Sequence, residues 1–165
     1  MNTFSLADVR HLEAAEGWLG LGDPGSAGEE LDAIAEPLSG HPAVLHLRWE
    51  VFSAGRKWER ALEVATTLAF LEPTDKRTWL HRSFALHELK QTAEARENLL
   101  RVVDQFPNYA VMRYNLACYE CQLGRLAQAK AWLQKAFALG DESEMKRAAL
   151  SDPDLQPLRG EIEDM

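Results

Sequence analysis

The stretch AVMRYNLACYECQLGRLAQAKAWLQKAFAL, from Ala110 to Leu139, decides the fold of this chain. Apolar residues recur in it at spacings of three and four residues, on both sides of the short breaker Leu123-Gly124-Arg125. Such spacing places the apolar side chains on one face of a helix. The stretch therefore predicts two helices joined by a tight turn, which is an αα-hairpin.

The same pattern recurs in steps of 34 residues towards the N terminus. Three columns of small or aliphatic residues stay in register over four copies: Ala27, Ala61, Ala95 and Ala129; Leu31, Ala65, Leu99 and Leu133; Ile34, Leu68, Val102 and Ala136. Pro73 and Pro107 share a further column, and each disfavours helical geometry in the residue before it. The sequence therefore predicts four repeats, residues 8–41, 42–75, 76–109 and 110–143, followed by a cap and tail, residues 144–165.

A helix-turn-helix unit with this period resembles the tetratricopeptide repeat, a family of helical interaction scaffolds. The resemblance implies an all-α fold, a right-handed α-solenoid with a C-terminal capping helix, in a single domain spanning residues 1–165. A solenoid needs a polar-faced cap because its last repeat otherwise exposes an apolar face. Glu142 to Leu150 has the composition of that helix, and we expect the acidic segment after Ser151 to be loose.

The charge and the hydropathy of the chain exclude some classes of function. The net charge is -8, and Arg10 is the single Lys or Arg residue in residues 1–41. A nucleic-acid interface needs a clustered basic face, which this sequence lacks. The sequence also lacks a basic-then-apolar leader and any uninterrupted apolar stretch of about 18 residues. We expect a cytoplasmic protein that binds neither nucleic acid nor a membrane.

The stretches Tyr114–Tyr119 and Asp152–Arg159 look like those of bacterial repeat proteins.

The segment Cys118-Tyr119-Glu120-Cys121 matches the C-x-x-C pattern of redox and zinc sites. A redox C-x-x-C opens a helix after a strand, whereas this one lies inside a predicted helix. A zinc site needs further ligands, and His87 is the one plausible addition. We expect the two cysteines to act as small apolar residues. For the protein as a whole we expect no catalytic residues, no metal and no cofactor. A metal or redox protein built on Cys118, Cys121 and His87 stays open as an alternative.

Several residues depart from the columns of the family. Arg48 and Arg82 lie where an apolar residue is expected; they either pair with a carboxylate (Glu63, Glu72 or Asp75) or bind an acidic ligand, and both alternatives remain open. Trp49 lies at a position where the family has a small residue. Its bulk should therefore splay its helix pair or reshape a neighbour. Glu120 takes a position meant for a large residue, so we expect that edge of the last repeat to be exposed to water.

In this family the first helix of each repeat lines a concave groove that holds peptides, and the resemblance assigns matching positions here. The groove residues are then His46, Glu50, Arg77, Leu80, Phe84, His87, Val111, Tyr114, Cys118 and Cys121. This composition favours an apolar or aromatic peptide anchor. Leu12 and Glu16 replace the basic clamp that grips the acidic tails of heat-shock chaperones, which argues against that ligand.

The sequence thus predicts a protein-binding scaffold or adaptor without catalysis. We expect a monomer or a homodimer, bound to a protein or peptide partner whose identity the sequence does not reveal. The alternative is a homo-oligomeric assembly protein that uses the exposed ends of its repeat array as the working surface.

Overall fold

The computed structural model of the protein describes residues 3–165, and that range contains α-helices, short 3₁₀ turns and no β-strand. Its α-helices are α1 (Leu6–Gly20), α2 (Pro24–Asp32), α3 (Pro42–Ala54), α4 (Trp58–Leu71), α5 (Lys76–Glu88), α6 (Thr92–Leu100), α7 (Ala110–Gln122), α8 (Leu126–Leu139), α9 (Glu142–Ser151) and α10 (Arg159–Glu163). The predicted all-α fold of helix-turn-helix repeats is confirmed. No helix in residues 3–165 combines the length and the apolar character that a membrane span requires.

The three columns of the repeat form the buried face of the second helix in each repeat, except that Ile34 and Val102 lie just beyond the ends of α2 and α6. Every residue in them is buried, and none is more than 5% exposed. Alanine fills the first column, and all four residues are fully buried: Ala27, Ala61, Ala95 and Ala129. Small side chains suit buried positions in a closely packed interior. The 34-residue period of the sequence is therefore also the period of the buried helix faces.

The turn inside each repeat carries one residue in the left-handed backbone region. These residues are Gly22, Arg56, Lys90 and Gly124, with φ of 77°, 53°, 65° and 74°, and they lie 34 positions apart. In the second repeat Gly55 has a negative φ, and the next residue, Arg56, makes the left-handed step. Helical repeats thus impose a positive φ here even where the residue is not glycine.

The chain divides into two compact units, the first ending at Ala85 and the second running from Leu86 to Met165. In the first unit, Ser5 and Asp8 form a capping box that begins α1. Pro24 begins α2 at the first helical position, where its missing N–H costs nothing, and Asp23 caps the helix. The first core cluster comprises Ala15, Ala27, Leu31, Ile34, Leu38, Val44, Leu47 and Val51.

In the second unit, the segment after α9 is ordered against the rest of the unit. Asp152 begins a 3₁₀ turn, Pro153–Leu158, which leads into α10. Leu155, Leu158 and Ile162 are fully buried. The expectation of a loose tail was therefore wrong, because these three residues at spacings of three and four give the segment an apolar face that the unit buries.

Glu120 is also placed differently from the sequence-based expectation. Its side chain is 1% exposed, so this edge of the repeat is not wet. Arg96 Nε donates to Glu120 Oε1 at 2.6 Å, and Arg125 Nη1 lies 3.7 Å from Glu120 Oε2. The carboxylate can be buried because two guanidinium groups compensate its charge.

The other departures from the repeat pattern also have partners inside the first unit. The indole of Trp49 stacks on the imidazole of His81 with ring centroids 3.7 Å apart. Arg48 donates to Asp32 Oδ1 at 2.8 Å and to the Leu31 carbonyl at 3.2 Å, instead of pairing with the three carboxylates named from the sequence. Arg82 Nε donates to Thr66 Oγ1 at 3.2 Å. That Trp49 splays its helix pair or reshapes a neighbour stays a prediction.

Candidate functional site

One stripe of α7 carries four of the predicted groove residues. Val111, Tyr114, Cys118 and Cys121 follow one another at spacings of three and four and so share a helix face. Val111 is 45% exposed and Tyr114 is half-buried, whereas Cys118 and Cys121 are buried. The face therefore has an open end at the start of α7 and a covered end near its C terminus.

The segment that begins at Asp152, here called the tail segment (152–163), covers the second end of this face. Tyr114 Oη donates to Asp152 Oδ2 at 2.8 Å, and Cys118 Sγ lies 3.7 Å from the same oxygen. His87 Nε2 hydrogen-bonds Asp154 Oδ2 at 2.9 Å. Two polar side chains of the tail segment are thus held by three of the predicted groove residues.

Burial determines the protonation of the side chains beneath the tail segment. Burial, followed by the nearby Asp152 carboxylate, raises the pKa of the Cys118 thiol well above its ordinary value. Burial likewise raises the pKa of the Cys121 thiol and of the Tyr114 phenol. Both cysteines are free, and at neutral pH both are protonated thiols with little nucleophilic character.

The open end of the α7 face borders a pocket of about 420 Å³. Its walls are mostly apolar, with acidic residues among them: Ala110, Val111, Tyr114, Gly140, Asp141, Glu144, Met145 and Ala148. A Cβ at Gly140 would collide with Met145 Sδ, so a larger residue here would require the flexible Met145 side chain to move. The pocket lies wholly in the second unit, between the start of α7 and α9.

Five predicted groove residues lie in the first unit. His46 Nε2 lies 2.8 Å from Glu72 Oε2. Arg77 donates to both oxygens of Asp75, from Nε to Oδ1 at 3.2 Å and from Nη2 to Oδ2 at 2.7 Å. The hydrogen bonds from Arg77 hold the pKa of the Asp75 carboxyl below its usual value. Glu50 is exposed and adds a carboxylate that favours the Arg77 cation.

The remaining two residues of this set are less polar. Phe84 is partly exposed and its ring meets the edge of Trp58, with centroids 5.5 Å apart. Leu80 is half-buried. The structure thus joins His46 and Arg77 through Glu72 and Asp75, and it joins Tyr114, Cys118 and His87 through the tail segment.

Sequence reasoning missed the carboxylates of the tail segment that contact the α7 face, and it missed the residues beyond α8 that line the pocket. Asp152 and Asp154 looked like a helix breaker before a loose end, and their contact with α7 spans more than 30 residues of sequence. The signal that could have found them was the spacing of Leu155, Leu158 and Ile162, which predicts a buried face. Glu144 and Met145 were assigned to the cap and Asp141 to the end of the fourth repeat, and only the fold brings them beside Val111.

Comparison with known proteins identifies solved structures that have a similar fold. No family model and no curated protein matches the chain. The solved structure titled MamA 41-end from Desulfovibrio magneticus RS-1 is 19% identical, with a TM-score of 0.76 over 98% of this chain and 94% of that chain. The chain has the helical fold of the MamA structures.

Two further MamA structures agree with this result. The MamA RS-1 ArsTM double mutant is 17% identical with a TM-score of 0.72, over 90% of this chain and 80% of that chain. MamA MSR-1 C2 is 18% identical with a TM-score of 0.70, over 81% and 76% of the two chains. At these identities the likeness shows the fold, and membership of the tetratricopeptide repeat family stays a prediction.

Proposed function

We propose that the chain is a protein-binding scaffold without catalysis, which holds a peptide segment of a partner protein at the pocket between α7 and α9. The observation that carries this proposal is the open, apolar pocket at the exposed end of the predicted groove face. The buried, protonated state of both thiols argues against nucleophilic chemistry on this face.

The dimensions of the pocket suit one large apolar side chain. Its volume of about 420 Å³ is within the range of small-molecule and peptide-anchor sites, roughly 300–1,000 Å³. Val111, Met145 and Ala148 supply aliphatic surface, and Tyr114 supplies an aromatic ring. An aromatic or branched aliphatic residue of a peptide would bury its surface there, which is the dominant favourable term in such contacts.

The rim of the pocket favours a positive charge next to that anchor. Asp141 and Glu144 both line it and are exposed, and the whole chain carries a net charge of -8. One oxygen of Asp141 accepts the backbone N–H of Glu144 at 2.9 Å, which holds this carboxylate in place at the start of α9. The proposed ligand is therefore a peptide in which an apolar residue is followed or preceded by Lys or Arg.

The proposed peptide site includes two of the predicted groove residues and leaves out the rest. Val111 and Tyr114 line the pocket, whereas Cys118, Cys121 and His87 are engaged with the tail segment. We propose the exposed first-unit residues Glu50, Arg77 and Phe84, with His46 and Leu80 beside them, as a separate contact surface for the same class of partner.

Fluorescence polarisation with labelled peptides tests the pocket. The probes are short peptides that place Phe or Leu between Lys residues, and matched peptides with Glu in place of Lys. We expect saturable binding of the basic set, weaker binding in high salt, and loss of binding in Val111→Asp and Glu144→Lys. Glu142→Lys is the matched control, because Glu142 also lies in the first turn of α9 but does not line the pocket. Equal binding of basic and acidic peptides, or equal loss in the control, would exclude this pocket as the site.

A homo-oligomeric assembly is the second candidate function. The observation that favours it is the exposed apolar surface of α1 and the residue after it, where Leu21 is 77% exposed and Leu6 and Trp18 also face solvent. Light scattering across a range of protein concentrations tests this idea. We expect dimers that dissociate in Leu21→Ser if the idea holds, and a monomer at high concentration would remove it.

A further inference from the structure

Three potential metal ligands converge beneath the tail segment. A carboxylate oxygen of Asp152, a carboxylate oxygen of Asp154 and the Sγ atom of Cys118 all lie within 4.8 Å of one another. Cys118 comes from the middle of α7, and the two carboxylates come from the start of the tail segment, so the group forms only when these two segments pack together. A divalent cation could contact all three atoms after small side-chain movements.

Neighbouring residues already orient both carboxylates. Tyr114 Oη donates to Asp152 at 2.8 Å, and the backbone N–H of Asp154 donates to the other oxygen of Asp152 at 2.9 Å. His87 Nε2 lies 2.9 Å from Asp154, and His87 Nδ1 lies 3.0 Å from Thr92 Oγ1. Hydrogen bonds of this kind to ligating carboxylates are typical of the outer shell of metal sites.

The charge of the group is not balanced by a permanent cation. Among the described residues, neither Asp152 nor Asp154 forms an ion pair with Lys or Arg, and His87 is the one basic side chain that contacts them. The first unit offers a useful contrast. There His46, Glu72 and Asp75 also form a potential metal-binding group, but Arg77 Nε and Nη2 already donate to the two oxygens of Asp75. The second-unit group therefore lacks the guanidinium cation that the first-unit group already has.

We propose that Cys118, Asp152 and Asp154 bind one Zn²⁺ ion. A sulfur ligand favours zinc over magnesium or calcium, which prefer sites made of oxygen alone. Three protein ligands leave the fourth tetrahedral position of zinc to water. On binding, the thiol proton is released to solvent and the thiolate coordinates the metal. The ion would fasten the tail segment to α7. This proposal does not depend on the peptide-binding function.

Metal titration of the full chain tests the site. Zn²⁺ is added in competition with a chromophoric chelator, and Co²⁺ is added separately as a spectroscopic probe. We expect one Zn²⁺ per chain, with no comparable binding of Mg²⁺, and a thiolate-to-cobalt charge-transfer band in the near ultraviolet. Cys118→Ser should abolish that band, and Asp154→Asn should weaken zinc binding. Tyr114→Phe should weaken it roughly 10–100-fold, as outer-shell substitutions do.

Two variants serve as controls, and circular dichroism checks that each variant remains folded. Cys121→Ser keeps all three ligands and should leave the cobalt band unchanged. Glu72→Gln alters the competing group in the first unit and should leave the zinc stoichiometry unchanged. The proposal is overturned if wild type binds no zinc, if the band survives in folded Cys118→Ser, or if Cys121→Ser removes it.

Discussion

His81 shows at the residue scale how the fold sets the charge of a side chain. Its imidazole stacks on the indole of Trp49, with the two planes 6° apart, and its edge faces His46. Burial lowers the pKa of His81 to about 4, with the positive charges of His46 and Arg77 acting in the same direction and Asp75 opposing them. The folded protein therefore holds His81 neutral over a range where the unfolded chain binds a proton.

This difference predicts a loss of stability in mild acid. Between pH 6.5 and pH 4 the unfolded chain binds more protons at His81 than the folded chain, so the free energy of unfolding falls as the pH falls. The contribution of His81 is about 2–3 kcal/mol between pH 7 and pH 4.5. Urea unfolding at both values should show this loss in wild type and a smaller loss in His81→Phe, which keeps the stacking but cannot titrate. Equal losses in the two proteins would contradict the assignment.

We expect loss of the ion pair between Glu120 and Arg96 to lower the free energy of unfolding more than loss of the other ion pairs. Arg96→Ala leaves the buried carboxylate of Glu120 with the more distant Arg125 alone. We expect the free energy of unfolding to fall by about 3 kcal/mol. The double variant Arg96→Met, Glu120→Leu should recover most of that loss, because it removes both charges together. Glu97→Ala, which removes the exposed partner of Arg96, should cost less than about 1 kcal/mol. A double variant no more stable than Arg96→Ala would count against this account.

At the scale of the element, substitutions in the turns test how the backbone angle of one residue affects the free energy of unfolding. Gly22 has a positive φ, whereas Gly20 ends α1, and a Cβ at either position would meet no atom within 4 Å. Gly22→Ala should lower the free energy of unfolding by about 1 kcal/mol because alanine is strained there. Gly20→Ala should raise it by up to about 1 kcal/mol because alanine restricts the unfolded chain.

The non-glycine turns predict the opposite change. Lys90→Gly relieves a positive φ at the matching position of the third repeat and should stabilise the protein by up to about 1 kcal/mol. Thermal unfolding of the three variants in parallel measures these changes. A destabilised Lys90→Gly would mean that the lysine side chain contributes more than its backbone strain costs.

Helices with a repeated apolar face were the elements that the sequence predicted well. The columns that contain Ala129, Leu133 and Ala136 predicted buried residues correctly in all four repeats, although Ile34 and Val102 lie just beyond the ends of α2 and α6. The tail segment was missed, because a 3₁₀ turn and a five-residue helix have little local signal and are stable only when packed. Their order comes from Leu155, Leu158 and Ile162 finding a surface on the rest of the second unit.

At the scale of the whole molecule, the two compact units should respond separately to local damage. Leu158 is fully buried in the second unit, so Leu158→Ala should cost about 3 kcal/mol. Hydrogen exchange should show faster exchange in α7 and α10, with a smaller change in α1 to α3. Leu21→Ala, at an exposed position, should change neither stability nor exchange by much. Equal acceleration in both units would show that they unfold as one cooperative body.

The candidate site was less predictable than the fold for a reason that also belongs to this scale. The resemblance to the tetratricopeptide repeat assigned Val111 and Tyr114 on α7 to the groove, and both line the pocket. It could not reveal that Asp152 and Asp154 cover Cys118, since that contact is made by a segment outside the repeats. Long-range packing therefore decided which part of the predicted groove is open.

The left-handed step shared by Gly22, Arg56, Lys90 and Gly124 bears on how a gene of this kind can change in length. A duplication or deletion with both ends at this position adds or removes whole repeats and joins one turn to an equivalent turn. An insertion of a single residue within a helix instead rotates every later residue of that helix by about 100°, which turns its apolar face away from its neighbour. Natural length variants should therefore differ by multiples of 34 residues, with breakpoints at the turns.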